Sequence, residues 1–404
     1  MTDGGQPAVL VTHPGRQHSH QAAVGLARAG MLAGYWAGVP AVAAQAARVP
    51  VGLRRRFARY APVDLPAQRV RWFPVTPGLR RLGDALLPAR GAARVDFWAC
   101  RLFDRWAAGA LPAAKARAVI ACEISALDTF RAAKRLGMTA ILDAPSLHHA
   151  AQDRLHGTTD RPALHRRIVA VKEAEIALAD HVLTVSELAR QTYLDAGVPA
   201  ARVHAVALGA DLALFAPEEE EEEEEGKGGF TFLFAGATIH RKGFDLLLAA
   251  FERVAAAAPD VRLRVVGPRG DAAPLLARYL RARAPIEVAG PTDQPGLAAE
   301  LRRAGCLVLP SRNDSYAMVV PEALASGVPV LVSAMVGAKE LVREGESGWI
   351  VPAGEVAPLA ERMLWCARHR AELRGMRAAC RRAAAAATWE AYHERLAALV
   401  RGLV

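Results

Sequence analysis

Short apolar runs alternate with segments of helical periodicity through both halves of the chain. The runs have the length and composition of buried parallel strands. Strands are predicted at 9–11, 118–121, 139–142 and 181–185, then at 230–234, 261–266, 286–289, 306–309 and 328–332. Helices are predicted at 18–29, 129–136, 163–178, 244–257 and 384–404. Such alternation predicts an α/β fold in which helices cover both faces of a parallel sheet.

An acidic low-complexity segment separates the two halves. Glu218 to Glu225 form an unbroken glutamate run, and Gly228-Gly229 follows. A charge run of this kind is typical of a solvated linker. We therefore predict two Rossmann-like domains that face a cleft, at 1–212 and 230–385, with a linker at 213–229.

Two acidic residues follow one of the predicted strands in the second half. Asp314 lies in a polar loop after the run 306–309, and Glu322 follows Pro321 at a predicted helix start. In open α/β sheets ligands bind at the carboxyl ends of the strands. Acids at that edge suit a ligand rich in hydroxyl groups, such as a sugar and a ribose. Spacing alone also allows a helix-dipole role for Glu322 and an ordinary loop role for Asp314.

The stretch from Pro310 to Val330 resembles the donor-site signature of glycosyltransferase family 4. The shared features are a strand, Pro-Ser, two acids eight residues apart, and a small-residue helix that ends in Gly-x-Pro-Val. The resemblance extends over most of the chain and implies a type B fold whose last helix, 386–404, packs back on the first domain. The family usually has Glu where this chain has Asp314, and Gly-Phe-Gly where it has Ser315-Tyr316-Ala317. This departure bears on donor choice.

A basic pair lies between the first strand and the first helix of the second half. Cations at Arg241-Lys242, near a helix N-terminus, suit a diphosphate, although a loop pair of this kind is also often simply solvated. The resemblance implies that Lys242 pairs with the donor phosphates. It further implies that Glu322 accepts ribose hydroxyls and Asp314 sugar hydroxyls. Arg241 is predicted to replace an arginine that the family has at Ala237.

Further candidate residues come from both halves. On the donor side they are Gly15, Arg16 (expected to reach the phosphates across the cleft), Gly290, and the backbone amides of Tyr316, Ala317 and Met318. On the acceptor side they are His18, Glu123, Asp143, His148 and Ser186. For each histidine a structural role is as well supported as a catalytic one.

Other chemistries find little support in the chain. There is no Asp-x-Asp pair and no Cys/His cluster, so neither a metal site nor a cofactor is predicted. No Gly-x-Gly-x-x-Gly follows an opening strand, which disfavours a dehydrogenase. The formal net charge is +10, but no nucleic-acid-binding motif accompanies it, and no nucleic-acid partner is expected.

The expected location is the cytoplasm, with possible contact at the inner face of the cell membrane. The five cysteines are scattered and odd in number, as in reduced proteins. No signal peptide and no apolar stretch of spanning length are found. The segment 51–106 interleaves arginines with aromatic residues, which suits an anionic membrane surface, although a core role for the aromatics is equally open.

The resemblance implies a retaining, metal-independent glycosyltransferase. Its donor would be a nucleoside-diphosphate sugar and its acceptor a glycan or a lipid-linked glycan, as in surface polysaccharide or glycolipid biosynthesis. Two alternatives stay open. A nucleotide-sugar epimerase of the same fold would turn over the donor without an acceptor, and an inactive module would only bind it.

Overall fold

The computed structural model describes residues 8–42, 45, 47, 64–156, 162–217 and 229–404. The chain forms two compact units. Residues up to Val206, together with Glu390–Val404, form the first unit, and Ala207–Trp389 form the second. These bounds differ by a few residues from the predicted ones at 212 and 386. The predicted linker's glutamates lie outside the described residues.

The first unit is built on a parallel sheet. Its described strands are β1 Val9–His13, β2 Leu32–Ala37, β3 Val70–Trp72, β4 Ala118–Cys122, β5 Thr139–Ala144, β6 His181–Thr184 and β7 Val203–Ala205. They pair in parallel in the order β3-β2-β1-β4-β5-β6-β7. The central strands β1 and β4 are buried along their whole length, which explains their continuous apolar sequences.

Helices cover this sheet. They are α1 Ser19–Arg28, α2 Val75–Leu86, α3 Ala89–Ala110, α4 Leu127–Arg135, α5 His149–His156, α6 Pro162–Leu178 and α7 Glu187–Asp195. A core cluster that includes Leu10, Phe103, Phe130, Val182 and Tyr193 fills the space between helices and strands. The predicted Rossmann-like architecture of this half is confirmed.

The second unit repeats the plan. Its described strands are β8 Phe230–Ala235, β9 Val261–Val266, β10 Ile286–Gly290, β11 Cys306–Leu309, β12 Val330–Ser333 and β13 Gly348–Val351. They form a parallel sheet in the order β10-β9-β8-β11-β12-β13. The helices are α8 Phe244–Ala257, α9 Ala273–Arg281, α10 Gln294–Arg302, α11 Val319–Ala325, α12 Val356–Arg368, α13 Arg370–Gly375 and α14 Arg377–Ala384.

Strand order fixes where a ligand can bind in each unit. The order reverses between β1 and β4 in the first sheet and between β8 and β11 in the second. Loops that leave the two strands of such a pair diverge to opposite faces and leave a crevice at their carboxyl ends. The predicted residues Arg241 and Asp314 follow β8 and β11.

The last helix, α15 Trp389–Leu403, packs on α1 within the first unit. Gly25 of α1 makes this approach possible, since a Cβ there would lie 2.9 Å from the backbone of His393. His393 Nε2 lies 2.9 Å from Gln21 Oε1. In the described part of the chain, no helix combines the length and apolarity needed to cross a membrane.

Candidate functional site

Lys242 and Asp314 meet where the loops after β8 and β11 approach each other. A helical turn, His240–Lys242, ends at Gly243, whose φ is +67°. A Cβ at Gly243 would lie 1.9 Å from the carbonyl oxygen of Pro310, so only glycine fits here. This close approach sets Lys242 Nζ against Asp314 Oδ2 in an ion pair.

The backbone of Asp314 is fixed on its other side. Its N–H donates to the carbonyl of Met335 (2.9 Å), and its carbonyl accepts from the N–H of Gly337 (2.9 Å). The Lys242 and Asp314 side chains are 17% and 10% exposed. The pair is therefore held in place and still reaches the surface at the carboxyl edge of the sheet.

Arg241 lies beside this pair without an acidic partner among the described residues. Its guanidinium donates to the carbonyl of Asn313 (3.0 Å). The neighbouring Arg312 is instead tied to Asp245 by two hydrogen bonds of 2.7 Å. Arg241 is thus positioned by a neutral carbonyl and keeps its full charge for an anion.

Glu322 lies in α11 and is 5% exposed. Burial raises the pKa of its carboxyl group to about 7. No described residue hydrogen-bonds this carboxyl group. A buried carboxylate normally has donors around it, so Glu322 has the properties of a ligand-binding group.

The segment before α11 has an unusual backbone. Ala317 has a φ of +72°, a conformation that glycine adopts far more readily. Tyr316 anchors the segment, because its hydroxyl donates to the carbonyl of Leu208 (2.5 Å). Its carbonyl also accepts from the N–H of Ala338 (2.7 Å). Tyr316, Ala317 and Met318 therefore lead into α11 in a fixed conformation.

Three glycines end the neighbouring strands of this sheet. Gly236, Gly267 and Gly290 follow or end β8, β9 and β10, and each has a positive φ. Gly267 donates its N–H to the carbonyl of Gly290 (2.8 Å), and a Cβ on Gly267 would lie 2.1 Å from the carbonyl oxygen of Gly236. Gly290 thus belongs to a group of glycines at the carboxyl ends of β8, β9 and β10.

In the first unit, His18 and Asp143 form a buried pair. His18 Nε2 lies 3.0 Å from Asp143 Oδ1. Burial alone would lower the pKa of His18, but the Asp143 carboxylate outweighs it and the pKa is raised. Burial alone would raise the pKa of Asp143, and the adjacent His18 lowers it. Each group therefore favours the charged form of the other.

The loop before His18 is ordered by a second histidine. His13 Nδ1 accepts from the N–H of Gly15 (2.8 Å), and burial lowers the pKa of His13 to about 4. Burial, and then the charge of Arg16, lower the pKa of His20 to about 3. Neutral imidazoles thus fix this loop, and Arg16 lies within it at the carboxyl end of β1.

Glu123 belongs to a charged triad that the sequence analysis missed. Its carboxylate accepts from Lys172 Nζ (2.9 Å) and from the Ser146 hydroxyl (2.5 Å). Lys172 also lies 3.2 Å from Ser146 Oγ. Lys172 sits in the middle of α6, far from any strand end in the sequence. Only the folded structure brings it to the carboxyl edge of β4.

Two predicted acceptor-side residues, Ser186 and His148, make structural contacts at helix starts. Ser186 is fully buried and caps α7, accepting from the N–H of Ala189 (3.0 Å). His148 Nδ1 accepts from the N–H of Ala150 (3.2 Å) at the start of α5, and burial lowers its pKa to about 4. Ser186 thus has a capping role in this structure, and its place on the acceptor side stays a prediction.

His148, His149 and Glu173 bring possible metal ligands together. Their ligand atoms lie within 4.8 Å of one another. However, His149 Nε2 is already paired with Glu173 (2.8 Å). His148 Nδ1 accepts a hydrogen bond, which in a neutral imidazole leaves the proton on Nε2 and no free lone pair. The side chains do not favour an ion, and the absence of a metal site stays a prediction.

Two parallel-sheet units, with cations and acids gathered at a switch point, define a two-domain α/β protein of the glycosyltransferase type B class. The structure is similar to that of sucrose-phosphate synthase from Thermosynechococcus elongatus (TM-score 0.74, 19% identity, 98% of this chain and 99% of that one). It is also similar to Anabaena Alr3699/HepE in complex with UDP-glucose (TM-score 0.67, 14% identity, 98% and 100%).

Comparison of the sequence with known families and proteins also points to glycosyltransferases. Residues 215–386, which form most of the second unit, match the model of the family "Glycosyl transferases group 1". D-inositol 3-phosphate glycosyltransferase 1 of Catenulispora acidiphila is 32% identical over 58% of this chain and 60% of its own length. The chain thus spans about three fifths of that curated relative.

Proposed function

We propose that this chain transfers a sugar from a nucleoside diphosphate to a hydroxyl group of a glycan or lipid-linked acceptor. The observation that carries the proposal is the Lys242–Asp314 ion pair, with Arg241 beside it, in the loops that follow the two strands at the switch point of the second sheet. Glu322 lies in α11, the helix that follows the Asp314 loop. The glycosyl transfer named for the Catenulispora relative and the UDP-glucose bound to the Anabaena protein support this donor class.

Each residue has a role that its chemistry supports. Arg241 and Lys242 would stabilise the charge that develops on the departing diphosphate. Glu322 would accept hydrogen bonds from two ribose hydroxyls, which supplies the donors that its carboxylate lacks. Asp314 would orient Lys242 and meet a sugar hydroxyl. We propose retention of configuration and metal independence, with fixed cations in place of a divalent ion.

The first unit would hold the acceptor. Its switch point carries the His18–Asp143 pair and the triad of Glu123, Ser146 and Lys172. Charged groups that accept and donate hydrogen bonds suit the hydroxyl groups of a glycan. We propose that these two clusters line the acceptor site.

We also propose a cytoplasmic protein that contacts an anionic membrane through α2 and α3. Leu86, Leu87 and Trp98 are 69%, 44% and 49% exposed, and Arg90 and Arg94 are exposed beside them. Apolar groups among arginines suit an anionic lipid surface. Phe97 and Phe103, by contrast, are buried and belong to the core. Residues 51–60 of the predicted basic segment lie outside the described residues.

Liposome flotation tests the membrane contact. The chain should float with vesicles that contain phosphatidylglycerol and not with phosphatidylcholine alone. A Leu86→Ser/Trp98→Ser variant should lose flotation while keeping its melting temperature. Equal recovery with both vesicle types would remove the proposal.

A donor panel tests the main proposal. Thermal shifts with UDP, GDP, ADP and CMP sugars identify the base, and product analysis then follows with and without acceptor glycans. Sugar transfer with a retained anomer is expected, and Lys242→Ala and Glu322→Ala should abolish it without unfolding the protein. Turnover of the donor alone would indicate an epimerase. Binding without any turnover would indicate an inactive module.

A further inference from the structure

The second unit has a cavity at the edge of its sheet opposite to Arg241 and Asp314. Its volume is about 180 Å³, and it lies against the amino ends of β8, β11 and β12. Five arginines line it: Arg302, Arg303, Arg370, Arg374 and Arg377. We name it the arginine pocket. Among the described residues that line it, none is acidic.

Of the arginines that line the pocket, Arg370 has an acidic partner, whereas Arg303 and Arg374 have none among the described residues. Arg370 donates to Asp260 Oδ2 (2.5 Å) and lies over the ring of Phe230. Arg303 and Arg374 are exposed. Guanidinium groups held around one small cavity repel each other unless an anion lies between them.

Helix dipoles do not explain this arrangement. Arg302 lies in the last turn of α10, where a cation is favourable. Arg370 and Arg377, however, are the first residues of α13 and α14, where a cation is unfavourable. An anionic ligand would offset the unfavourable position of Arg377 at a helix start and the charges of Arg303 and Arg374.

We propose that the arginine pocket binds a phosphoryl group, supplied either by a soluble phosphate compound or by a lipid headgroup. Guanidinium groups bind phosphate oxygens through paired hydrogen bonds. The cavity of about 180 Å³ has room for roughly six water molecules, and so for a phosphate or diphosphate. The proposal does not depend on the proposed transfer reaction.

Calorimetric titration with pyrophosphate tests the site. The Lys242→Ala chain serves as the background, because the donor edge has then lost its ammonium group. Adding Arg303→Gln/Arg374→Gln should weaken pyrophosphate binding at least about tenfold. The matched control is Arg253→Gln/Arg281→Gln, which removes the same charge from exposed positions outside the pocket and should change the affinity less than about twofold.

The alternatives give distinct results. If the double pocket variant binds pyrophosphate as well as its background does, or if Lys242→Ala alone removes all binding, the arginine pocket is not a phosphoryl site. The proposed transfer reaction is tested separately, by UDP-sugar binding. Absence of UDP-sugar binding by the wild type would contradict the proposed function, and Arg303→Gln/Arg374→Gln should leave this binding intact. If the double variant has a lowered melting temperature, the single variant Arg374→Gln is titrated with pyrophosphate in its place.

A further arm identifies the source of the phosphoryl group. Cosedimentation with vesicles of phosphatidylglycerol and phosphatidylcholine in equal amounts should weaken in the pocket variant if a lipid headgroup is the ligand. If the ligand is a soluble phosphate compound, the pocket variant should lose pyrophosphate binding and its cosedimentation with vesicles should stay unchanged.

Discussion

Lys242 and Asp314 form an ion pair between the loops that follow β8 and β11, the two strands at the switch point of the second sheet. The ammonium group is therefore balanced by a carboxylate before any donor binds. A diphosphate must compete with Asp314 for Lys242, whereas Arg241 has no acidic competitor among the described residues.

A double-mutant cycle measures this competition. Asp314→Asn should tighten UDP binding about threefold to tenfold, because Lys242 is released and one negative charge is removed, yet transfer should fall. Lys242→Ala should weaken UDP binding about tenfold or more. In the Lys242→Ala background, Asp314→Asn should have a clearly smaller effect on UDP affinity. Additive effects would show that the pair does not control the phosphate site.

Glu322 predicts a pH dependence of donor binding. Burial raises the pKa of its carboxyl group to about 7, above the usual 4.5. Since ribose hydroxyls need the carboxylate as acceptor, kcat/KM for the donor should rise with pH through about 7 and then level off. Glu322→Gln should lower kcat/KM and flatten this limb. A wild-type profile that is flat between pH 6 and pH 8, roughly one unit to each side of that pKa, would contradict the assignment.

The Glu322 carboxyl group also makes the stability of the fold depend on pH. A rise in pH favours donor binding but lowers the stability. A carboxyl group whose folded pKa lies above its unfolded value penalises the fold as pH rises from 4.5 through about 7. Glu322→Gln removes that penalty. The variant should therefore melt higher than the wild type at pH 8 and should lose this advantage near pH 5, as followed by thermal unfolding.

Much of the second sheet follows directly from its sequence. The runs 261–266 and 306–309 are strands with the predicted bounds. The run 306–309 is apolar throughout because β11 is buried on both faces. Strands β2 and β13 were missed. The edge strands β3 and β7 were missed as well. Each has three residues and a partly exposed pattern, as in Val70-Arg-Trp, so neither periodicity nor composition marks it.

The sequence predicts where the candidate site lies, but it does not predict which side chains contact each other there. The strand-loop-helix order places Lys242, Asp314 and Glu322 at one edge of a parallel sheet, and their roles stay predictions. That Lys242 pairs with Asp314 depends on the approach of Gly243 to Pro310, a contact between loops far apart in the chain. The pairing of Lys172 with Glu123 likewise has no local sequence signal.

Gly243 allows a test of that loop approach with a matched control. Gly243 and Gly345 have φ values of +67° and +74°, but a Cβ meets the Pro310 carbonyl oxygen at 1.9 Å in the first case and nothing within 4 Å in the second. Gly345→Ala should lower the free energy of unfolding by about 1–2 kcal/mol through backbone strain alone. Gly243→Ala should cost more and should also weaken UDP binding. Equal costs would show that the loops can separate freely.

Ala317 predicts a stabilising substitution inside the candidate site. Its φ of +72° is strained for alanine and relaxed for glycine. Ala317→Gly should raise the free energy of unfolding by up to about 1 kcal/mol, after the greater chain entropy of glycine in the unfolded state is subtracted. Arg283→Gly, at φ +55° on an exposed turn, is the control for the backbone effect alone. Destabilisation by Ala317→Gly would mean that the methyl group packs usefully.

Removal of the Asp143 carboxylate should reverse the direction in which the pKa of His18 is shifted. Burial lowers the pKa of His18 and Asp143 raises it, with Asp143 the stronger influence. In the wild type, NMR titration of the His18 ring should give a pKa above 6.5, and in Asp143→Asn burial should bring it below 6.5. The stabilisation from the pair should be complete between pH 3.8 and pH 6.5. It should be lost as pH rises through the raised pKa of His18 and as pH falls through the lowered pKa of Asp143. An Asp143→Asn titration that matches the wild type would show that the two groups do not interact in solution.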